Sequence, residues 1–231
     1  MAEILDPQQK LTNQQLHDAA LADWRRLPAG LHARFATGDF AAGLRLADAI
    51  GLAADEANHH PDLDLRYGHL SVRLVSHDVG GVTSRDVAMA RSISALAAEA
   101  GASAEPGRVQ EVELAIDTAD ASRLVSFWRA VYGLAPDEGS DQPGGVEVVD
   151  PDGVMPTIWF QDTEPHEEPR QRFHLDVWVA EETADARIEQ ALGAGGTLVS
   201  DTEAPSFTVL ADADGNKACI CSVAGRHQPP E

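Results

Sequence analysis

Residues 55–86 read DEANHHPDLDLRYGHLSVRLVSHDVGGVTSRD, and the first half of the chain is organised around them. Upstream, Phe40, Leu44, Ala47, Gly51 and Ala54 recur at three- and four-residue spacing, which predicts a helix from about Asp39 to about Glu56. Asn58 and the His59-His60 pair fall just past its last turn, and Pro61 prevents continuation. From Leu63 the pattern turns strand-like, with Leu70, Val72 and Leu74 alternating against His69, Ser71, Arg73, Val75 and His77. His77 ends that strand, Gly80-Gly81 turns the chain, and a new helix begins after Thr83. A helix end and a strand end therefore present His59, His60 and His77 to one rim.

The side-chain type gives that rim its chemistry. Imidazole titrates near ~6.5, so one ring donates a proton while another accepts one at neutral pH. With no nucleophilic Ser or Cys beside them, three such rings suit acid–base elimination or addition better than covalent catalysis. A three-His zinc centre is the rival. Against it, adjacent residues rarely both reach one ion, and no HExxH or CxxC frames these. The plainer account is structural. Asn-His-His-Pro caps a helix and complements its dipole, while Thr83-Ser-Arg-Asp86 is close to a capping box with Asp in place of Glu.

The joint spacing favours function. Asp55, then His59-His60-Pro61, Tyr67 after five residues, His77 after nine more and Asp86 after eight more resemble the signature of the pterin-4a-carbinolamine dehydratase family. The likeness includes Leu63-x-Leu65, Val72-Arg-Leu, Gly-Gly-Val-Thr and the Trp24 region, and it extends over most of residues 10 to 100.

Composition frames the rest. A chain of 231 residues is long for one compact domain and comfortable for two. Its 43% apolar and 24% charged content is that of a soluble globular protein. No run approaches the ~18 apolar residues of a membrane span, and MAEILDPQQK does not read as a signal peptide. The expectation is a cytoplasmic protein with no membrane partner, its two cysteines, Cys219 and Cys221, reduced. Net charge is −21, divided as −4 over residues 1–100 and −17 over residues 101–231. That balance argues against nucleic acid as a partner. It reads as a solvated surface.

In chain order, a helix is expected over Thr12–Trp24, with Thr12 as N-cap and Leu16, Ala19, Ala20 and Trp24 inward. Pro28-Ala-Gly30 punctuates it, and Leu31–Thr37 gives a short strand. The helix over Thr83–Ala100 lines up Val87, Ala90, Ile93 or Ser94, and Ala97. The order α, β, α, β, β, α predicts an α+β domain over 1–100, an antiparallel sheet with helices on one face. The open face offers subunits a place to pair, and the resembled family is oligomeric, so a homo-oligomer is expected.

Gly101–Gly107, small and polar with Pro and Gly, marks a linker over 101–110. Beyond it, strands are expected at Val112–Asp117, Gly144–Val149 and Val154–Gln161, with a helix over Ala121–Tyr132 placing Leu124, Phe127, Trp128 and Val131 inward. Then come strand Phe173–Val179, helix Glu181–Leu192, and strands near Gly196–Ser200, Phe207–Ala211 and Lys217–Val223. Two consecutive β-α-β-β-β units over 111–224 imply an internal duplication, with residues 225–231 as a tail.

Asp120 with Phe127-Trp128, His174-Leu-Asp-Val-Trp-Val, Gly195-Gly196 and Asp212-Ala-Asp-Gly215-Asn216 resemble the glyoxalase/bleomycin-resistance (vicinal oxygen chelate) superfamily, over residues 110 to 224. The resemblance implies a divalent metal held by one residue from each of four strands. Glu113 and His174 take two of those positions, Cys219 stands where the last strand commonly has Glu, and Gln161 is an unaligned candidate. That incomplete set favours a metal-free module binding an unknown small molecule over a metal-dependent glyoxalase or dioxygenase.

For the first domain the resemblance implies dehydration of 4a-hydroxytetrahydrobiopterin, or a related 4a-hydroxy-tetrahydropterin, to quinonoid dihydropterin and water, with no cofactor required. His59 and His77 become the acid–base pair, with the assignment between them open. His60 orients the pterin, Asp86 holds an imidazole in its tautomer, and Tyr67 stands on the substrate side as packing rather than chemistry. The alternative is a binding or scaffold protein whose dehydratase domain is vestigial.

Overall fold

The computed structural model describes residues 6–123, 125, 147–151, 153, 155–164, 173–193, 196–211 and 217–225. The chain folds as two units, one up to Val109 and one spanning Gln110–Gly225. Each is an α+β structure built on its own sheet.

The first unit opens with α1 (Asn13–Asp18), where N-cap Thr12 and Gln15 exchange both bonds of a capping box. The helix expected to reach Trp24 stops at Asp18. Ala20 adopts φ 50, which a helix does not accept, and Trp24 begins β1 (Trp24–Leu27). This strand, absent from the sequence reading, forms a hairpin with β2 (Gly30–Ala36) across Pro28-Ala29. Helix α2 (Phe40–Ala57) follows, its N-cap Asp39 accepting the Ala42 N–H at 2.7 Å. Then come β3 (Asp62–Arg66), β4 (His69–Leu74), α3 (Ser84–Glu99) and β5 (Ser103–Ala104).

The strands lie in the order β1-β2-β4-β3, antiparallel throughout, with β5 on β2. Part of the stretch read as a linker therefore belongs to this sheet. Gly30 is required where β2 starts: its φ is 150, and an added Cβ would meet the Leu74 carbonyl oxygen at 2.4 Å. One sheet face carries Leu31, Ala33, Phe35, Leu70, Val72 and Leu74 into a core with Leu46 and Ile50 of α2 and Ala90 and Ile93 of α3. On the other face Arg73 pairs with Asp62 at 2.7 Å and Arg34 with Glu105 at 2.8 Å.

Two details differ from the sequence pattern. The stripe that signalled α2 coincides with its buried stripe only in part, at Ala54 and the half-buried Ala47. Gly43, Leu46, Ile50 and Ala54 face the sheet, while Phe40, Leu44 and Leu52 are 49%, 56% and 68% exposed. Both stripes are apolar, so periodicity establishes the helix without choosing its inner side. Second, β4 ends at Leu74, three residues before His77. Ser76 instead bridges to Gly81, its N–H donating to the Gly81 carbonyl at 3.0 Å, and this closes a tight turn that carries His77.

The second unit comprises β6 (Gln110–Thr118), β7 (Glu147–Val148), β8 (Thr157–Asp162), β9 (Phe173–Val179), α4 (Glu181–Gly193), β10 (Thr197–Ser200), β11 (Phe207–Ala211) and β12 (Lys217–Cys221). Its sheet runs β10-β11-β12-β9-β6-β8-β7. The duplication is visible in the pairing. β6 lies parallel to β8, β9 lies parallel to β12, and β6 meets β9 antiparallel at the centre. Among the described residues the first repeat has three strands where β-α-β-β-β has four. Of the helix expected over Ala121–Tyr132, the described part is a 3-10 turn, Ala121–Arg123, and Val125. Leu124, Phe127, Trp128, Val131, Gly195 and Asp212–Asn216 lie outside the described residues. No helix among the described residues is long and apolar enough to cross a membrane.

The buried stripe of α2 makes a direct prediction. Ile50→Ala, in the core, should lower the unfolding free energy by about 2–5 kcal/mol. Arg45→Ala, at an exposed polar position of the same helix, should stay within about 0.5 kcal/mol. Urea titration followed by circular dichroism measures both.

Candidate active site

The left-handed conformation of Asn58 ends α2, and its neighbour His59 folds back, donating its backbone N–H to the Ala54 carbonyl at 3.0 Å. The His59 residue is 8% exposed, and its Nε2 lies 2.8 Å from Asp86 Oδ1. Asp86 sits in the first turn of α3 and is fully buried. Its second oxygen, Oδ2, accepts from Ser76 Oγ at 2.7 Å, from the Thr83 N–H at 2.7 Å and from Thr83 Oγ1 at 3.2 Å. One carboxylate thus performs both roles read from the sequence. Oδ2 completes the capping box and Oδ1 holds the histidine. Loss of that carboxylate would strand several buried donors, each at about 1–3 kcal/mol.

The network also sets where His77 stands. Ser76, tied to Asp86, precedes it directly, and Asp78 follows it with a 2.7 Å contact to Arg85 of α3. The turn bearing His77 is therefore anchored by both of its neighbours to the helix end that holds His59. His77 itself is exposed. His60 is also exposed, its Nε2 3.0 Å from Asp55 Oδ1, which pairs the first acidic residue of the spacing with the second histidine.

A cleft of ≈ 380 Å³ opens between α2 and α3, lined by Ala53, Glu56 and Ala57, by His59, and by Arg85 and Met89. His60 and His77 are not among its lining residues. Tyr67 is placed elsewhere. It occupies the turn between β3 and β4, the end of the hairpin away from His60 and Ser76, and is 81% exposed. A five-residue strand spans roughly 16 Å, so within this chain Tyr67 neither packs nor faces the cleft. Glu56, Arg85 and Ser76 were not singled out from the sequence. Their roles come from packing between α2, α3 and the turn, and no spacing rule announces them.

In the second unit, strand register gathers a polar face. Glu113 of β6 stands opposite Asp176 of β9, Ala115 opposite His174, and Cys219 of β12 beside Asp176. Trp178 Nε1–H donates to Glu113 Oε2, and Trp159 Nε1–H donates to Asp176 Oδ2 at 3.0 Å. Burial pushes the Glu113 carboxyl up to about 7, against the opposing pull of the Trp178 hydrogen bond. His174 is raised, first by its hydrogen bond to Asp176. Burial pushes the Cys219 thiol up to about 12, with the Asp176 charge adding to it. Among the described residues, the donor atoms that converge within 4.8 Å of one another are those of His174, Asp176 and Cys219. Glu113 is not in that group, and Gln161 is exposed. Asp176 was missed in the sequence, although it lies two residues after His174 on one strand and so shares its face.

Comparison with known proteins follows the same division. The family model described as pterin 4 alpha carbinolamine dehydratase matches residues 8–96, and that described as glyoxalase-like domain matches residues 113–221. A Mycobacterium tuberculosis protein provisionally named pterin-4-alpha-carbinolamine dehydratase is 40% identical over 89 residues, 37% of this chain and 94% of that protein. Its namesake in Thermosynechococcus vestitus is 36% identical over 97 residues, 42% of this chain and 98% of that protein. A solved transcriptional coactivator/pterin dehydratase from Brucella melitensis is 29% identical with a TM-score of 0.37, covering 38% of this chain and 99% of its own.

The Glu113 environment has a measurable consequence. A carboxyl raised from 4.5 to about 7 on folding is protonated more readily in the native state than in the unfolded one. The native state therefore holds more protons between those values, and stability falls as pH rises through that window. Glu113→Gln should remove this loss. The variant should be more stable than the parent above pH 7, by up to roughly 3 kcal/mol, and the gap should close below about pH 5. Thermal melts across that range measure the difference.

Proposed function

The chain belongs, through residues 8–96, to the pterin-4a-carbinolamine dehydratase family, and we propose from that premise that its first unit dehydrates a 4a-hydroxy-tetrahydropterin. Water leaves from C4a and a proton leaves a ring nitrogen, giving the quinonoid dihydropterin. The reaction needs one proton delivered to the departing hydroxyl and one removed from nitrogen. The two transfers balance, so the step requires no cofactor.

The observation that carries this reading is the His59–Asp86 pair, buried at the edge of a cleft. With Nε2 held by the carboxylate, the ring is fixed in orientation and tautomer, and Nδ1 becomes the proton-transferring nitrogen. A structural cap alone does not require a histidine on Oδ1, since the capping bonds are all made by Oδ2. His77, on the anchored turn, is the second acid–base group. His60, exposed and paired with Asp55, orients the pterin from the rim. Tyr67 takes no part in this scheme. Positioned proton transfer of this kind contributes about 10²–10⁴-fold.

The exposed apolar residues Phe40, Leu44 and Leu52 on α2 support assembly of this unit with further copies of the chain. The second unit is read as a small-molecule-binding module, supported by the indoles of Trp159 and Trp178 on one sheet face with Glu113 and Asp176.

Turnover of a 4a-hydroxy-tetrahydropterin generated in situ, followed by absorbance, tests the dehydratase. His59→Ala and His77→Ala should each reduce kcat by about 10²-fold or more. Unchanged rates in both variants would remove the mechanism.

A further inference from the structure

The second unit carries a cluster that the dehydratase reading does not use. His174 and Asp176 occupy alternate positions of β9 and so project from one face, and Cys219 of the adjacent β12 is paired in register with Asp176. His174 Nε2 lies 3.3 Å from Asp176 Oδ1, and the donor atoms of all three side chains fall within 4.8 Å of one another. A tetrahedral ion bound at about 2.0–2.3 Å holds its ligand atoms roughly 3.3–3.8 Å apart; the His174–Asp176 pair already has that spacing, and Cys219 Sγ lies within 4.8 Å of both. The other imidazole nitrogen, Nδ1, faces Asp117 Oδ1 at 3.7 Å. At that distance, longer than a hydrogen bond, the carboxylate acts on the ring through its charge.

We propose that His174 Nε2, the Asp176 carboxylate and Cys219 Sγ form a binding site for a zinc-class divalent ion, held entirely by the second repeat. This differs from the arrangement implied by the sequence resemblance, in which each of four strands supplies one ligand. Glu113, the residue of the first repeat at such a position, is engaged by the Trp178 indole instead. The donor chemistry differs too. A thiolate in place of a carboxylate on the last strand makes the set softer, favouring zinc or cobalt over magnesium or calcium. All three donors stand on regular strands, so their placement depends on sheet register and not on loop closure. The site is independent of the first unit, and its failure would leave the dehydratase reading untouched.

Cobalt titration of the full, metal-free chain tests the site through the ion's own spectrum. One equivalent of Co²⁺ should produce thiolate-to-cobalt absorption in the near ultraviolet, and Zn²⁺ should abolish it by displacement. Cys219→Ser should lose that absorption. Asp117→Asn should keep it. Gln161→Ala, at an exposed position of β8 outside the trio, should leave both spectrum and affinity as in the parent. Absence of the band at one equivalent, its persistence in Cys219→Ser, or its loss in Gln161→Ala would each overturn the proposal.

Discussion

The carboxylate of Asp86 is the point on which the first unit's site depends. It has no exposure to solvent, yet it accepts hydrogen bonds from a serine in the turn after β4, from the backbone and hydroxyl of a helix N-cap, and faces a histidine at the end of another helix. Each partner belongs to a different segment of chain. A buried carboxylate is tolerable only when such partners replace water. The requirement therefore joins the end of α2, the turn after β4 and the start of α3 into one arrangement. The order of events in structural terms is capping first and chemistry second. The capping box fixes the carboxylate, and the fixed carboxylate presents its remaining oxygen to His59.

The same logic explains why the three histidines are not equivalent. His59 is enclosed by packing and oriented by a buried partner. His60, the next residue, points to an exposed aspartate on its own helix. His77 is held through its neighbours Ser76 and Asp78 and through its own carbonyl, which accepts the Gly80 N–H at 3.3 Å. His59 is thus desolvated and fixed in orientation, while His60 and His77 are open to solvent.

The second unit distributes its polar groups by a different rule. Its β6 and β9 alternate, sending Leu114, Ile116, Val177 and Val179 to one face and Glu113, Asp117, His174, Asp176 and Trp178 to the other. Several carboxyl groups then share a partly buried face, and the structure compensates each differently. Trp178 donates to Glu113, Trp159 donates to Asp176, and His174 lies between Asp117 and Asp176. The excess negative charge of this half of the chain is thus not confined to its solvated surface.

Local signals in the sequence were sufficient for most elements. The strands expected at Phe173–Val179 and near Phe207–Ala211 coincide with β9 and β11, Thr12, Asp39 and Thr83 were all found at helix N-caps, and the spacing from Asp55 to Asp86 identified the family. These follow from interactions within a few residues, which is what periodicity and capping rules encode. The inner face of α2, the hairpin strand β1 and the end of β4 were not legible, because each depends on what lies across the sheet. Tyr67 and Glu113 show the same limit at the sites: position in a motif does not state which way a hairpin runs or which side chain claims a carboxylate. Only the folded chain decides that Asp86 bonds His59 and that Asp176 joins His174 and Cys219. Those contacts close over residues distant in sequence, and burial, rather than spacing, selects the partner.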